Sequence, residues 1–286
     1  MKPPPFEYAA PHTLEEALAL LGGSSGDEPR ALAGGQSLVP LLNLRFARPT
    51  LLVDLNRIPG LDSVEWVNGH VRLGAMVRQR TLETDPVFGE RLPLLAEAAT
   101  WIAHLAIRTR GTVGGSLAHA DPAAELPAAM VVSGAQLHVR GVGTRRVVPA
   151  AEFFLGPYTT ALDAGELLEA IEVPLPAAGT GWAFVEVARV HGAFALAGVA
   201  ALLAIGSDRR IADVRVALCG VGGAPYVPGW LAEAAVGEVP GDQLFRQIGD
   251  RVRDELGPGT DDYRRDVAGV LTRRALARAA ERAGAA

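Results

Sequence analysis

Two glycine pairs eighty residues apart limit what this chain can fold into. Gly34-Gly35-Gln36-Ser37 follows the short apolar run Ala31–Ala33, and Gly114-Gly115-Ser116 follows Thr112-Val113. Backbone without Cβ atoms lets an anion approach several N–H groups at once. Ser37 and Ser116 add hydroxyl donors, so two such segments folded together can grip a diphosphate with neutral groups. Each pair taken alone is also ordinary turn chemistry. No Gly-x-Gly-x-x-Gly occurs; the nearest stretch, Gly220-Val221-Gly222-Gly223-Ala224-Pro225, ends in proline. A dinucleotide bound here therefore requires something other than a Rossmann fold.

Lys2 is the only lysine, which removes a P-loop lysine, a Schiff-base lysine and a catalytic lysine dyad;. The one cysteine, Cys219, excludes an internal disulfide and any four-cysteine metal or iron–sulfur site;. At 286 residues and 49% hydrophobic content the chain can bury a sizeable core, and two compact units are expected;. The net charge of −5 comes without a basic stripe, which argues against a nucleic-acid surface;. Leu196–Ile205 is about half the length of a membrane span, and the start "MKPPPFEY" lacks an apolar signal region;. A cytoplasmic protein with no membrane span is expected.

Thr13-Leu14-Glu15-Glu16 reads as a capping box for a helix that Gly22–Gly26 ends. Strands are expected at Arg30–Ala33, a buried one, at Thr50–Leu55 and from Val71. Leu92–Ile107 reads as helix, and Asp121-Pro122 as an N-cap followed by proline, with Pro127 interrupting or restarting that helix. Residues 135–141 and 145–150 read as a hairpin, and 166–176 as a helical turn followed by a strand. After a composition shift at residues 174–181 come three strand-like runs, 181–190, 194–205 and 213–222. Two helices follow, Asp242–Leu256 and Asp261 to Arg282, the second with Tyr263, Val267, Val270 and Leu271 facing inward.

The stretches "AGGQSLVPLLNLRFARPTLLVDLNRIPGL" and "IRTRGTVGGSLAHADPAAELPA" resemble the FAD-binding medium subunit of the molybdenum hydroxylases, the xanthine dehydrogenase and carbon monoxide dehydrogenase family. The likeness runs on in collinear order to "YRRDVAGVLTRRALARA". It implies an α+β fold: an FAD-binding domain of the vanillyl-alcohol-oxidase type over 1–177, with subdomains 1–56 and 57–177. Residues 178–286 would form a three-stranded antiparallel sheet with helices. It also implies that Leu32, Ala33, Gly34, Gly35, Gln36, Ser37 and Leu38 wrap the FAD pyrophosphate together with Thr112, Gly114, Gly115 and Ser116. His119, Asp121 and Glu125 would border the pyrophosphate and ribitol, while Ile102 and Leu168 would touch the flavin and adenine parts.

Each residue also has a plainer reading. His119 and Asp121 lack a third ligand for a metal, so hydrogen bonding near the cofactor suits them better. Asp121 is equally a helix cap, Glu125 a surface charge, and Ile102 and Leu168 core residues. Arg108 and Arg110 suit either phosphate neutralisation or a solvated loop. Cys219 reads as an inert buried thiol. The chain departs from the family at Val190 and Ala193, where an arginine and an acid are common, and at Ala103, often glycine.

By the same resemblance, a small subunit with two [2Fe-2S] clusters delivers electrons to FAD here. A large molybdopterin subunit performs the hydroxylation, in a dimer of heterotrimers, and an external acceptor (NAD, a quinone or oxygen) receives the electrons. The alternatives are a free-standing FAD oxidase or dehydrogenase, and a scaffold protein that has lost FAD.

Overall fold

A computed structural model describes residues 2–23, 28–190, 192–257 and 260–284. Thr13 caps the first helix: its Oγ1 accepts from Glu16 N at 3.1 Å, and Glu16 Oε2 accepts from His12 N at 2.9 Å. That helix, α1 (Leu14–Leu21), joins β1 (Glu7–Ala9) to β2 (Pro29–Leu32). It stops at Gly22, whose N–H reaches Leu18 O at 2.8 Å, while Gly26 of the expected stop lies outside the described residues. Helix α2 (Leu38–Asn43) then leads to β3 (Leu51–Asp54), and the three strands pair in parallel in the order β1-β3-β2. Strand β2 is only partly buried, because it is an edge of this small sheet.

The second unit is a five-stranded antiparallel sheet with helices on one face. Its order is β4 (Val64–Val67), β5 (His70–Gly74), β10 (Leu167–Pro174), β6 (Gln136–Gly141) and β7 (Thr144–Pro149). Residues 167–174 are strand throughout, with a bulge between Leu168 and Ala170, so the expected helical turn is absent. Between β5 and β6 run α3 (Gln79–Thr84), α4 (Pro86–Arg91), α5 (Pro93–Trp101), α6 (Leu105–Arg110), α7 (Val113–His119) and α8 (Glu125–Val132). The helix expected over 92–107 is thus broken at Ile102–His104, where Ala103 adopts φ +38. A non-glycine residue in that region costs roughly 1 kcal/mol. Pro127 does not interrupt α8; it occupies the first turn, where no N–H is needed;. The short α9 (Ala150–Phe153) leads to the ribbon β8 (Phe154–Gly156) and β9 (Thr159–Thr160).

The last unit is the antiparallel sheet β11 (Thr180–Ala188), β12 (Ala195–Ile205) and β13 (Ile211–Cys219). One face packs on α5 and α8, and the other on α12 (Asp262–Gly284). Burial on both faces is why β12 is apolar almost without interruption;. Helix α10 (Leu231–Ala235) lies against β13, and α11 (Asp242–Glu255) against α12. The inward face of α12 is Ala268, Leu271, Ala275, Leu276 and Ala279. Tyr263 and Val270, expected inward, are exposed because the small-residue stripe fits the sheet more closely.

That fit depends on Gly181, where an added Cβ would lie 1.8 Å from Ala279 O. Gly181→Ala is expected to push α12 off the sheet and cost about 3 kcal/mol, the upper end for overpacking. Thermal unfolding would register the loss. Glu97 of α5 ties the same corner together. It accepts from Phe184 N at 3.1 Å and from Arg282 Nη1 at 2.7 Å, and Arg282 also donates to Trp182 O at 2.7 Å.

Candidate functional site

The chain leaves β2 at Leu32 and turns at Gly35, whose φ of +73 lies in the left-handed region. Gln36 Nε2 donates to Gly34 O at 2.9 Å, which closes the turn. Val39 N then reaches Gly35 O at 3.0 Å and Leu41 N reaches Ser37 O at 3.2 Å, starting α2. Among the described residues, no protein acceptor engages the N–H groups of Gly35, Gln36, Ser37 or Leu38. Four consecutive donors with no internal use are available to an anion.

The second glycine pair behaves differently. Gly114 and Gly115 lie in the first turn of α7, and their N–H groups are already committed. Gly114 N donates to Ala75 O at 2.8 Å, and Gly115 N donates to the Thr112 hydroxyl at 3.0 Å. Their lack of a side chain serves packing instead. A Cβ on Gly114 would lie 2.5 Å from Ala75 Cβ, and one on Gly115 would lie 2.6 Å from Thr112 Oγ1 and 3.3 Å from Ala33 Cβ. The first loop returns the approach, since a Cβ on Gly34 would lie 2.3 Å from Arg110 O. The two segments are therefore not equivalent in the fold: the first keeps unengaged N–H groups, and the second lets it come close.

A polar network on one flank holds the two segments in register. Arg78 donates to Arg110 O at 2.7 Å and to Asn56 Oδ1 at 2.7 Å. Asn56 Nδ2 donates in turn to Ala33 O at 2.9 Å, and Asp54 Oδ1 accepts from Asn56 N at 2.9 Å. Sequence reasoning missed Asn56 and Arg78. Asn56 stands inside the "VDLN" stretch, but nothing local marks Arg78.

Between the segments opens a cleft of about 1130 Å³. Its walls include Ala33, Gly34, Gly35, Gln36, Ser37 and Leu38 from one side and Thr112, Gly114, Gly115 and Ser116 from the other. Ile102, His119, Asp121, Glu125 and Leu168 also reach it. Leu32 does not line the cleft; its side chain packs beneath Gly35.

Burial and bonding sort the remaining candidates. Arg108 neither faces phosphate nor lies in solvent. Its guanidinium grips Glu83 at 2.7 and 3.0 Å and donates to Ile102 O at 2.7 Å and Ala103 O at 3.1 Å. It therefore fixes the strained turn that brings Ile102 to the cleft. Asp121 caps no helix: its Oδ1 accepts from Ala123 N at 2.9 Å, and α8 begins only at Glu125. Glu125 is buried rather than a surface charge, and burial pushes its carboxyl up to about 7;. Burial also lowers the imidazole of His119 below its ordinary value, so the ring is neutral at pH 7;. Tyr158, absent from the sequence reading, lies 5.1 Å from the His119 ring at φ +53, with its N–H on Ala120 O at 3.0 Å. Gly192, Ala193 and Phe194 line the cleft as well, and Val190 is exposed.

Four unengaged N–H groups, two hydroxyls and an apolar far wall suit an elongated ligand with a diphosphate and a planar ring. No group of three or more His, Cys, Asp or Glu among the described residues could hold a metal ion. No helix among them is long and apolar enough to cross a membrane.

Comparison with known proteins bears on the same residues. Residues 4–176 match the family described as the FAD binding domain in molybdopterin dehydrogenase, and residues 182–279 match the CO dehydrogenase flavoprotein C-terminal domain. The chain is 42% identical to the caffeine dehydrogenase subunit beta of Pseudomonas sp. (strain CBB1), over 99% of this chain and 97% of that one. It is 38% identical to the carbon monoxide dehydrogenase medium chain of Hydrogenophaga pseudoflava, over 96% and 97%. Among solved structures, a chain of the carbon monoxide dehydrogenase of that organism superposes with a TM-score of 0.94 at 39% identity, covering 99% of both. A chain of quinoline 2-oxidoreductase from Pseudomonas putida 86 superposes at 0.92 with 36% identity, covering 98% of this chain and 99% of that one. The cleft with its glycine-built floor thus belongs to an oxidoreductase subunit, and the chain is a member of the FAD-binding medium-subunit family of the molybdenum hydroxylases.

Proposed function

We propose that this chain is the FAD-carrying electron-transfer subunit of a cytoplasmic heterotrimeric molybdenum hydroxylase. It takes electrons from the [2Fe-2S] clusters of a small subunit and passes them to an external acceptor. The large subunit holds the molybdenum–pterin group, and two heterotrimers pair. One observation carries the reading above all: two distant glycine segments converge on one cleft in a chain that matches medium subunits from end to end. Bound FAD supplies a centre that accepts electrons singly and releases them in pairs.

The protein's own residues bind and orient. The N–H groups of Gly35, Gln36, Ser37 and Leu38, with the Ser37 and Ser116 hydroxyls, hold the diphosphate. Leu32 supports the loop from below. Thr112, Gly114 and Gly115 let the segments close, while Ile102 and Leu168 exclude water from the apolar parts. Glu125 accepts from a cofactor hydroxyl, and His119 and Asp121 border the same region. On this reading residues 1–177 carry the cofactor, as subdomains 1–56 and 57–177, and 178–286 form the unit behind it.

Native purification from the source organism tests the assembly. A two-[2Fe-2S] protein and a molybdenum-bearing chain are expected to co-elute, while the isolated chain shows a flavin spectrum without stoichiometric iron or molybdenum. Gly35→Val and Gly115→Val are expected to lose the flavin. Full flavin content in both variants would refute the loop assignment.

A further inference from the structure

Behind the cleft wall, the C-terminal sheet carries an acid for which the cofactor-holding geometry has no role. Glu186 follows Phe184 by two residues on β11, so both side chains take the face packed on α5 and α8;. The register sets Glu186 opposite Gly198, and Gly198 opposite Cys219. A Cβ on Gly198 would lie 2.7 Å from Cys219 Sγ and 3.6 Å from Glu186 Cγ, so glycine there makes room for the carboxyl and the thiol. From the other side, Gly220 N donates to Pro122 O at 2.8 Å, tying the segment before α8 to the end of β13. This brings Glu125, the first residue of α8 and part of the cleft wall, toward the same row.

Glu186 is 8% exposed, and its Oε2 is sealed without a hydrogen-bond partner among the described residues. An unpaired charge there is expensive. The groups facing it are Glu125 from α8 and the Cys219 thiol from β13, while β12 presents only Gly198. Arg108, the cation that acts on Glu125, is committed to Glu83 and two carbonyls. Burial, then the charge of Glu125, pushes Glu186 up to about 8;. Burial holds the thiol protonated.

We propose that Glu186 is a positioning residue for the cofactor, standing as an uncharged acid behind Glu125 so that no further negative charge is added behind the wall that Asp121 and Glu125 already line. The proposal rests on the reading that the cleft takes FAD. When Glu186 gives up its proton, a further negative charge stands behind the wall of a cleft that takes an anionic cofactor. The bound state then holds that proton more tightly than the free protein does. FAD affinity therefore falls as pH rises through 8, by about tenfold per pH unit for a single proton.

The full chain with its FAD is equilibrated between about pH 6 and pH 10, and released flavin is read by fluorescence after ultrafiltration. Wild-type release is expected to climb about tenfold per unit above pH 8. Glu186→Gln, which reproduces the uncharged acid, is expected to hold FAD without that rise. A flat wild-type profile, or a Glu186→Gln profile that climbs alongside it, overturns the proposal. Should Glu186→Gln fail to fold, or wild type hold no FAD at all, infrared spectroscopy of the wild-type chain decides. Beside the band of Glu125, whose carboxyl is pushed only to about 7, a second protonated-carboxyl carbonyl band must be present at neutral pH and vanish with a midpoint of about 8. Its absence at neutral pH overturns the role of Glu186, whereas a chain without FAD strikes only the functional reading above.

Discussion

Gly34→Val is expected to purify without its yellow colour, with FAD content below about a tenth of wild type, a penalty of roughly 1.4 kcal/mol or more. The reason is a backbone contact. A Cβ at residue 34 would lie 2.3 Å from Arg110 O and 2.8 Å from Gly111 Cα, and neither atom can turn away as a flexible side chain could. The first loop must retreat from the segment leading into α7. That movement carries Ala33 away from Asn56 Nδ2 and disrupts the register that Arg78 sets. Gly35→Val fails for a different reason, because its φ of +73 strains a branched residue;. Absorbance of the bound flavin against protein concentration checks both, and a Gly34→Val protein with full flavin content would remove the convergence of the two segments as the basis of the site.

Arg108→Leu is expected to cost about 3–5 kcal/mol, the range for breaking a buried ion pair from one side. It would lower the midpoint of thermal unfolding by roughly 10 °C. The substitution leaves Glu83 with Arg80 alone, at 2.7 Å, and leaves the carbonyls of Ile102 and Ala103 without a donor. The loss should reach the cleft as well, because Ala103 keeps its φ of +38 only while that anchor holds. The pH dependence has a definite sign. Hydrogen bonding to Arg108 holds the Glu83 carboxyl below its ordinary value, so the pair stabilises the fold above the unfolded-state pKa of about 4.5 and the contribution fades as pH falls through the folded value;. Arg108→Leu should therefore flatten the acid limb of a plot of melting temperature against pH. Equal acid limbs for wild type and variant would show that Glu83 does not depend on this arginine.

The legibility of the chain varied with the range of the interactions involved. The capping box at Thr13, the hairpin of residues 136–149 and the run of β12 rest on neighbours in sequence or on burial of both faces, and each was readable. Helix ends decided by distant partners were not. Ile102–His104 would have continued a helix if Arg108 had not captured its carbonyls, and residues 167–168 are strand because β6 pairs with them. Asp121 offered a cap in sequence, yet its carboxylate closes a turn one step before α8 begins.

Sequence alone determined the family and most of the candidate site, because glycine placement and short polar motifs act locally and survive in one dimension. It could not distinguish a glycine that presents its N–H from one that merely makes room. That difference lies in which atoms approach from elsewhere in the chain: Arg110 O at Gly34, Ala75 at Gly114 and Ala33 at Gly115. Nor could it show that a strand acid, Glu186, stands behind a helix acid, Glu125, since they meet only where the C-terminal sheet packs on α8. Burial and distance belong to the folded chain, and here they set the charge state of the cleft wall.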